Sequence, residues 1–193
     1  MSDLQALLRD LTSGDEPRAE NAVPALIDLA EDAIPALLDL THSTDVDARW
    51  WALRTLAQSP LARTEWLIPF LDDSAPEIRQ CAALGLAHKG KPDESAIPQL
   101  VQALSDEDTL VGNLAVKALV NIGKPAVPLL NEKVKSGQQS ARILALRALV
   151  EIRDPRAIPV MMQVMGENSA LLQHWAKEGL ERLGLDMVYM KPE

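Results

Sequence analysis

Apolar and polar positions along this chain fall into one short pattern, small-x-x-small-Leu, which returns about every thirty residues. Its copies lead with Ala22, Ala52, Ala82, Ala115, Ala145 and Ala176, and successive leading alanines stand 30, 30, 33, 30 and 31 residues apart. The second small residue is Ala25, Thr55, Gly85, Ala118, Ala148 or Gly179, and a leucine follows it each time. Residues at 0, +3, +4 and +7 share one face of an α-helix, so each copy predicts an amphipathic helix, here called helix B. The small side chains let a neighbouring helix approach closely, while the leucine fills the remaining volume. The residue at −1 (Trp51, Cys81, Leu114, Leu144 or Trp175) flanks that face.

A second signature opens another helix. Pro35, Pro98, Pro128 and Pro159 each lie 17 residues before a leading alanine and follow Ile or Val. Proline is accommodated in the first turn of a helix, where its missing N–H breaks no bond and its fixed φ is already helical. The segments IPALLDL, IPQLVQAL, VPLLNEKV and IPVMMQVM that follow carry helical apolar spacing, which defines helix A. Polar turns such as STDVD and SDEDT separate the helices and supply N-cap residues.

The pattern predicts an all-α chain, a right-handed α-α superhelix of about six helix pairs in a single domain spanning 1–193. The units run over about 1–30, 31–60, 61–90, 91–123, 124–153 and 154–184, with a tail at 185–193. Two units depart from it. Pro69 lies only 13 residues before Ala82, which predicts a shortened or kinked helix A, and Pro24 inside the first helix B predicts a kink or a late start near Ala22. The tail LDMVYMKPE is read as a lid over the last unit or as a dimerising segment.

Composition narrows the function classes. The chain has 193 residues, 47% hydrophobic and only 3% aromatic, which suits close helix packing through Ala and Leu. A net charge of −9 argues against generic nucleic-acid or anionic-membrane binding. No apolar run approaches the ~18 residues of a membrane span, and no signal peptide opens the chain. The expected setting is cytoplasmic, with no membrane contact.

The paired helices, the proline that opens helix A and the arginine three residues before the helix-B alanine (Arg49, Arg79, Arg142) resemble the HEAT repeat. The unit length and motifs such as PEIRQCAALGLAHKG are similar to the HEAT-like repeats of phycobilisome bilin lyases. The resemblance covers the whole chain and implies the solenoid fold. It also implies a ladder in which an Asp six residues before that arginine links units. Asp73 with Arg79 fits, whereas Ser43, Gly112, Ser136 and Gln173 break the pattern.

In a solenoid the concave wall is built from helix B, so its outward side chains form the candidate binding surface. At about 100° per residue, positions −2 and +2 point away from the buried alanine. These are Trp50, Gln80, Asn113, Ile143 and His174 at −2, and Arg54, Leu84, Lys117, Arg147 and Glu178 at +2. The recurring cations Arg54, Lys117 and Arg147 among apolar Trp50, Leu84 and Ile143 suit an acidic or amphipathic protein segment. Ordinary solvated surface remains the competing account.

Catalytic chemistry is not evident in the sequence. His42, His88 and His174 lie in different units without metal-ligand spacing, and no His is followed by Glu, unlike the HEAT-like deoxyhypusine hydroxylases. Cys81 reads as a small buried hydrophobe, and Met161, Met162 and Met165 as packing residues. Trp51 is assigned to the core and Trp50 to the surface. The sequence alone therefore favours a noncatalytic protein-binding scaffold or adaptor, not an enzyme, with no cofactor or metal and an undetermined oligomeric state. The alternative is a bilin lyase subunit or chaperone for phycobiliproteins, which would handle a linear tetrapyrrole. Nucleic-acid binding ranks third.

Overall fold

A computed structural model of the chain describes residues 2–185. The expected lid or dimerising tail lies outside the described residues, apart from Leu185. All twelve α-helices among the described residues follow the predicted pairing, and no strand occurs there. The chain divides after Lys89 into two compact units.

The first unit contains α1 (Ser2–Leu11), α2 (Glu16–Asp28), α3 (Ile34–Leu40), α4 (Val46–Gln58), α5 (Thr64–Leu67) and α6 (Pro76–His88). Helices α2, α4 and α6 are the B helices, and they pack side by side. The first core gathers Leu11, Val23, Leu26, Leu37 and Leu56 around the small residues Ala22 and Ala52. Close approach depends on size: a Cβ built on Gly85 of α6 would lie 2.8 Å from the Ala57 Cβ of α4. Dispersion and burial set this spacing, because interiors leave few voids.

The second unit contains α7 (Ile97–Ala103), α8 (Thr109–Ile122), α9 (Val127–Ser136), α10 (Gln139–Ile152), α11 (Ile158–Met165) and α12 (Ala170–Arg182). Here α8, α10 and α12 are the B helices, with α10 packed against both α8 and α12. Ala115, Ala145 and Ala176 are fully buried, as are the leucines four residues after each of them. Each A helix from α7 onward is preceded by one turn of 3-10 helix, so the predicted proline sits in its first turn.

The two irregular units behave differently. At Pro69 helix A is shortened as expected: α5 stops at Leu67 and a 3-10 turn spans Ile68–Asp72. At Pro24 the expected late start is corrected, because α2 begins at Glu16 and runs through the proline to Asp28. The helix is launched well upstream by the Asp15 carboxylate, which accepts from the Arg18 N–H. Pro17 occupies its first turn, and Pro24 lies on the exposed side.

The arginine three residues before the helix-B alanine anchors the turn between its two helices. Arg49 donates to the Ser43 and Thr44 carbonyls, Arg79 donates to those of Asp73 and Ser74, and Arg142 donates to that of Val134. The expected ladder between repeats is present in part. Asp73 meets Arg49 of the preceding repeat, at 3.4 Å, and Arg142 reaches forward to Glu167 at 2.6 Å. Arg49 and Arg142 thus each tie their own repeat to the acid of the next.

Candidate functional site

None of the ten predicted outward residues is buried. Leu84 is 44% exposed, and Asn113, Lys117 and His174 are also open, while Trp50, Arg54, Gln80, Ile143, Arg147 and Glu178 are half-buried. Placement of each side chain follows from helix phase alone, because the buried alanine fixes which face is left outside.

In the first unit the structure brings Trp50 and Arg54 together with Trp51. The Arg54 guanidinium lies 5.2 Å from the Trp50 ring centre and 5.0 Å from that of Trp51, and the two indoles meet edge to face. Arg54 also bridges to Glu20 of α2 at 3.0 Å. Glu20 was missed in the sequence; it occupies −2 of the first copy, so the signal was the same register applied one repeat earlier. Trp51, assigned to the core, is only half-buried and forms part of this aromatic pair. A groove of about 800 Å³ runs beside it, lined by Leu11, Thr12 and Gly14, by Asp45 to Ala48 with both tryptophans, and by Pro76 and Glu77.

The second unit repeats the device with one change. Arg147 reaches back to −2 of the preceding helix B, as Arg54 does, but finds the amide oxygen of Asn113 at 2.9 Å instead of a carboxylate. An amide accepts the hydrogen bond without neutralising the charge. The guanidinium lies 5.7 Å from the Trp175 ring centre, and His174 packs against the same indole. Glu178 pairs with Arg182 at 2.6 Å and approaches His174 at 3.8 Å. A cleft of about 640 Å³ opens here, lined by Val120, Arg147, Val150, Glu151, Arg153, Trp175, Glu178 and Arg182.

Arg153 was not singled out in the sequence. It caps α10 in the left-handed region, with φ 54, where the preceding helix B has Gly123 at φ 82. A side chain there costs about 1–2 kcal/mol relative to glycine. Lys117 and Ile143 make no ion pair or hydrogen bond through their side chains among the described residues.

Cys81 is 8% exposed, and burial pushes its thiol up to about 12, an effect the nearby Arg54 charge only partly offsets. The reactive form is the thiolate, so this thiol is inert at neutral pH. Iodoacetamide at pH 7.5 is expected to leave Cys81 unmodified in the folded protein while labelling the urea-unfolded chain fully; equal rates would place the sulfur outside the core. Among the described residues no cluster of three or more His, Cys, Asp or Glu is arranged to hold a metal. No helix there is long and apolar enough to cross a membrane.

Residues 64–138 match the family model of HEAT repeats, and residues 141–167 match that of the PBS lyase HEAT-like repeat. The chain is built from HEAT repeats. This HEAT array is 30% identical over 113 residues to a phycobilisome maturation protein of Synechococcus elongatus, covering 58% of this chain and 53% of that protein. It is 32% identical over 92 residues to the phycocyanobilin lyase subunit beta of a Nostoc species, covering 47% and 46% respectively. The chain spans about half the length of these curated relatives. Among solved structures it resembles the complex of CpcE and CpcF of phycocyanin lyase from Nostoc, with a TM-score of 0.58 and 25% identity. That match covers 76% of this chain and 98% of the solved one, and the expected α-solenoid fold is thereby met. The expectation of a noncatalytic scaffold or adaptor, and of a chain with no enzymatic role, is corrected by the two Nostoc proteins, one named as a phycocyanobilin lyase subunit and the other as a phycocyanin lyase complex. The physical reason for the error is that a HEAT array exposes no compact catalytic motif, so the residue pattern alone cannot separate a lyase subunit from an adaptor.

Proposed function

We propose that this HEAT-repeat chain is one subunit of a bilin lyase, serving in the cytoplasm in the attachment of a linear tetrapyrrole to a phycobiliprotein. The observation that carries this reading is the joint likeness to curated phycocyanobilin lyase subunits and to the solved lyase complex. The Nostoc lyase structure contains two different proteins, which supports a second subunit as the protein partner here.

The chain's own chemistry limits how it takes part. Its single cysteine is Cys81, and burial raises the pKa of that thiol to about 12, which argues against a bilin relay through this residue. The reacting thiol then belongs to the acceptor, and this subunit contributes by binding and orienting. The outward helix-B side chains are the surface proposed to meet the protein partner, with Leu84 offering apolar contact and Lys117 an unneutralised charge for an acidic or amphipathic segment. A second reading, a chaperone that holds the phycobiliprotein without touching the bilin, draws on the maturation-protein relative.

Co-expression decides between them. The chain is produced with a phycobiliprotein subunit, a bilin supply and a second lyase subunit, and covalent chromophore is read by visible absorbance after denaturing electrophoresis. Chromophore that appears on the phycobiliprotein only when this chain is present supports the lyase reading. Equal loading without the chain overturns it, and more soluble phycobiliprotein with no added chromophore selects the chaperone.

A further inference from the structure

We infer that the cleft between α10 and α12 of the second unit is a carboxylate-recognising site for the bilin, with Arg147 and Arg153 as the anion-binding pair and Trp175 as the aromatic wall. The inference rests on the lyase reading and adds a location and a recognition chemistry to it.

Three independent features converge on this cleft. The first is charge. Arg54 and Arg147 occupy the same register and reach the same position of the preceding helix, but Arg54 is neutralised by Glu20 whereas Arg147 is held by the neutral Asn113. Its orientation is fixed and its charge is left for a ligand. The second is Arg153, whose side chain makes no ion pair or hydrogen bond among the described residues. Its neighbour Asp154 does not neutralise it, because both Asp154 oxygens are taken by Arg156 at 2.9 Å. Glu178 is likewise committed to Arg182, so Glu151 is the one lining carboxylate without an ion pair among the described residues, and the cleft carries a net positive charge in a chain of −9. The third is strain: Arg153 is held in the left-handed region, at φ 54 and ψ 46, at a conformational cost, whereas Gly123 ends the preceding helix B in a different positive-φ conformation.

The chemistry of the ligand fits these features. A linear tetrapyrrole is a conjugated chain of flat pyrrole rings with two propionate carboxylates, so it offers a ring face for Trp175 and two anions for two guanidiniums. The volume of about 640 Å³ falls within the range of small-molecule sites. An extended acidic peptide would engage the charges but has no flat face for the indole.

Biliverdin and its dimethyl ester are the probes, titrated into the full chain and read by visible absorbance and induced circular dichroism. Biliverdin is expected to bind about tenfold or more tightly than the ester, the equivalent of ~1.4 kcal/mol. Arg147→Gln and Arg153→Gln are each expected to erase most of that preference, and Trp175→Leu to remove the induced signal. Arg153→Gly supplies a readout that damage to the fold cannot mimic: it should raise the melting temperature while weakening biliverdin. Equal binding of acid and ester, or full binding by both glutamine variants, overturns the site but leaves the lyase reading intact, since co-expression tests that separately. No biliverdin binding by the full chain also overturns the site. Arginine-dependent binding of an oligoglutamate peptide in its place would assign the cleft to a protein segment.

Discussion

Gly85→Leu is expected to destabilise the first unit by about 3 kcal/mol, near the upper end of what overpacking costs. The reason lies in which atoms stand in the way. A Cβ at this position would already come within 2.8 Å of the Ala57 Cβ and 3.0 Å of the Leu67 Cδ1. The Ala57 Cβ is attached directly to the backbone of α4 and has no rotamer through which to retreat. Helices α4 and α6 must therefore separate, which exposes the interface closed by Leu53, Leu56 and Leu86. Replacing a helical glycine returns about 1 kcal/mol of helix propensity, too little to offset the separation. Gly179 gives the control. Its nearest obstacles are the Sδ and Cε of Met161, the mobile end of a flexible side chain, so Gly179→Ala is expected to cost less than Gly85→Ala. Urea unfolding followed by circular dichroism measures both; an unchanged midpoint for Gly85→Leu would mean that the helices are not in contact there.

The same comparison indicates why the helices were legible and the site was not. Around Ala52, Ala82 or Ala145 the buried positions recur with the helical period, and that period is short enough to be read within a dozen residues. Pro35 and Pro98 mark helix starts for equally local reasons. The partners of the outward side chains are set by contacts between repeats: Arg54 with Glu20 and Arg147 with Asn113 are each separated by 34 residues. One pair closes a charge and the other leaves it open, and this difference appears only when the two helices are placed side by side. Arg153 escaped notice because an arginine after a helix looks like ordinary surface until its backbone is seen in the left-handed region. The Asp73 rung of the ladder was legible from its spacing before Arg79, whereas its partner, Arg49 of the repeat before, appears only when the two repeats are placed side by side.

That ladder leads to the second large effect, Arg142→Met, expected to cost about 2 kcal/mol through loss of charged hydrogen bonds. Methionine keeps the length and helix propensity of the side chain, so the change isolates the guanidinium. Two groups lose their partner: the Val134 carbonyl in the turn of its own repeat, and both oxygens of Glu167 in the next. The arginine side chain is 18% exposed and that of Glu167 31%, so water replaces the lost bonds incompletely. Arg54→Met makes the contrast. It too breaks an inter-repeat ion pair, but Glu20 is 61% exposed, and a pair of that kind contributes about 1 kcal/mol or less. A double-mutant cycle with Glu167→Gln and a parallel one with Glu20→Gln separate the pair terms from losses of packing. A coupling larger for Arg142–Glu167 than for Arg54–Glu20 identifies the former as a tie between repeats; equal couplings would reduce it to surface charge. The distinction bears on function, because an arginine that carries little stability is one the array can turn toward a partner.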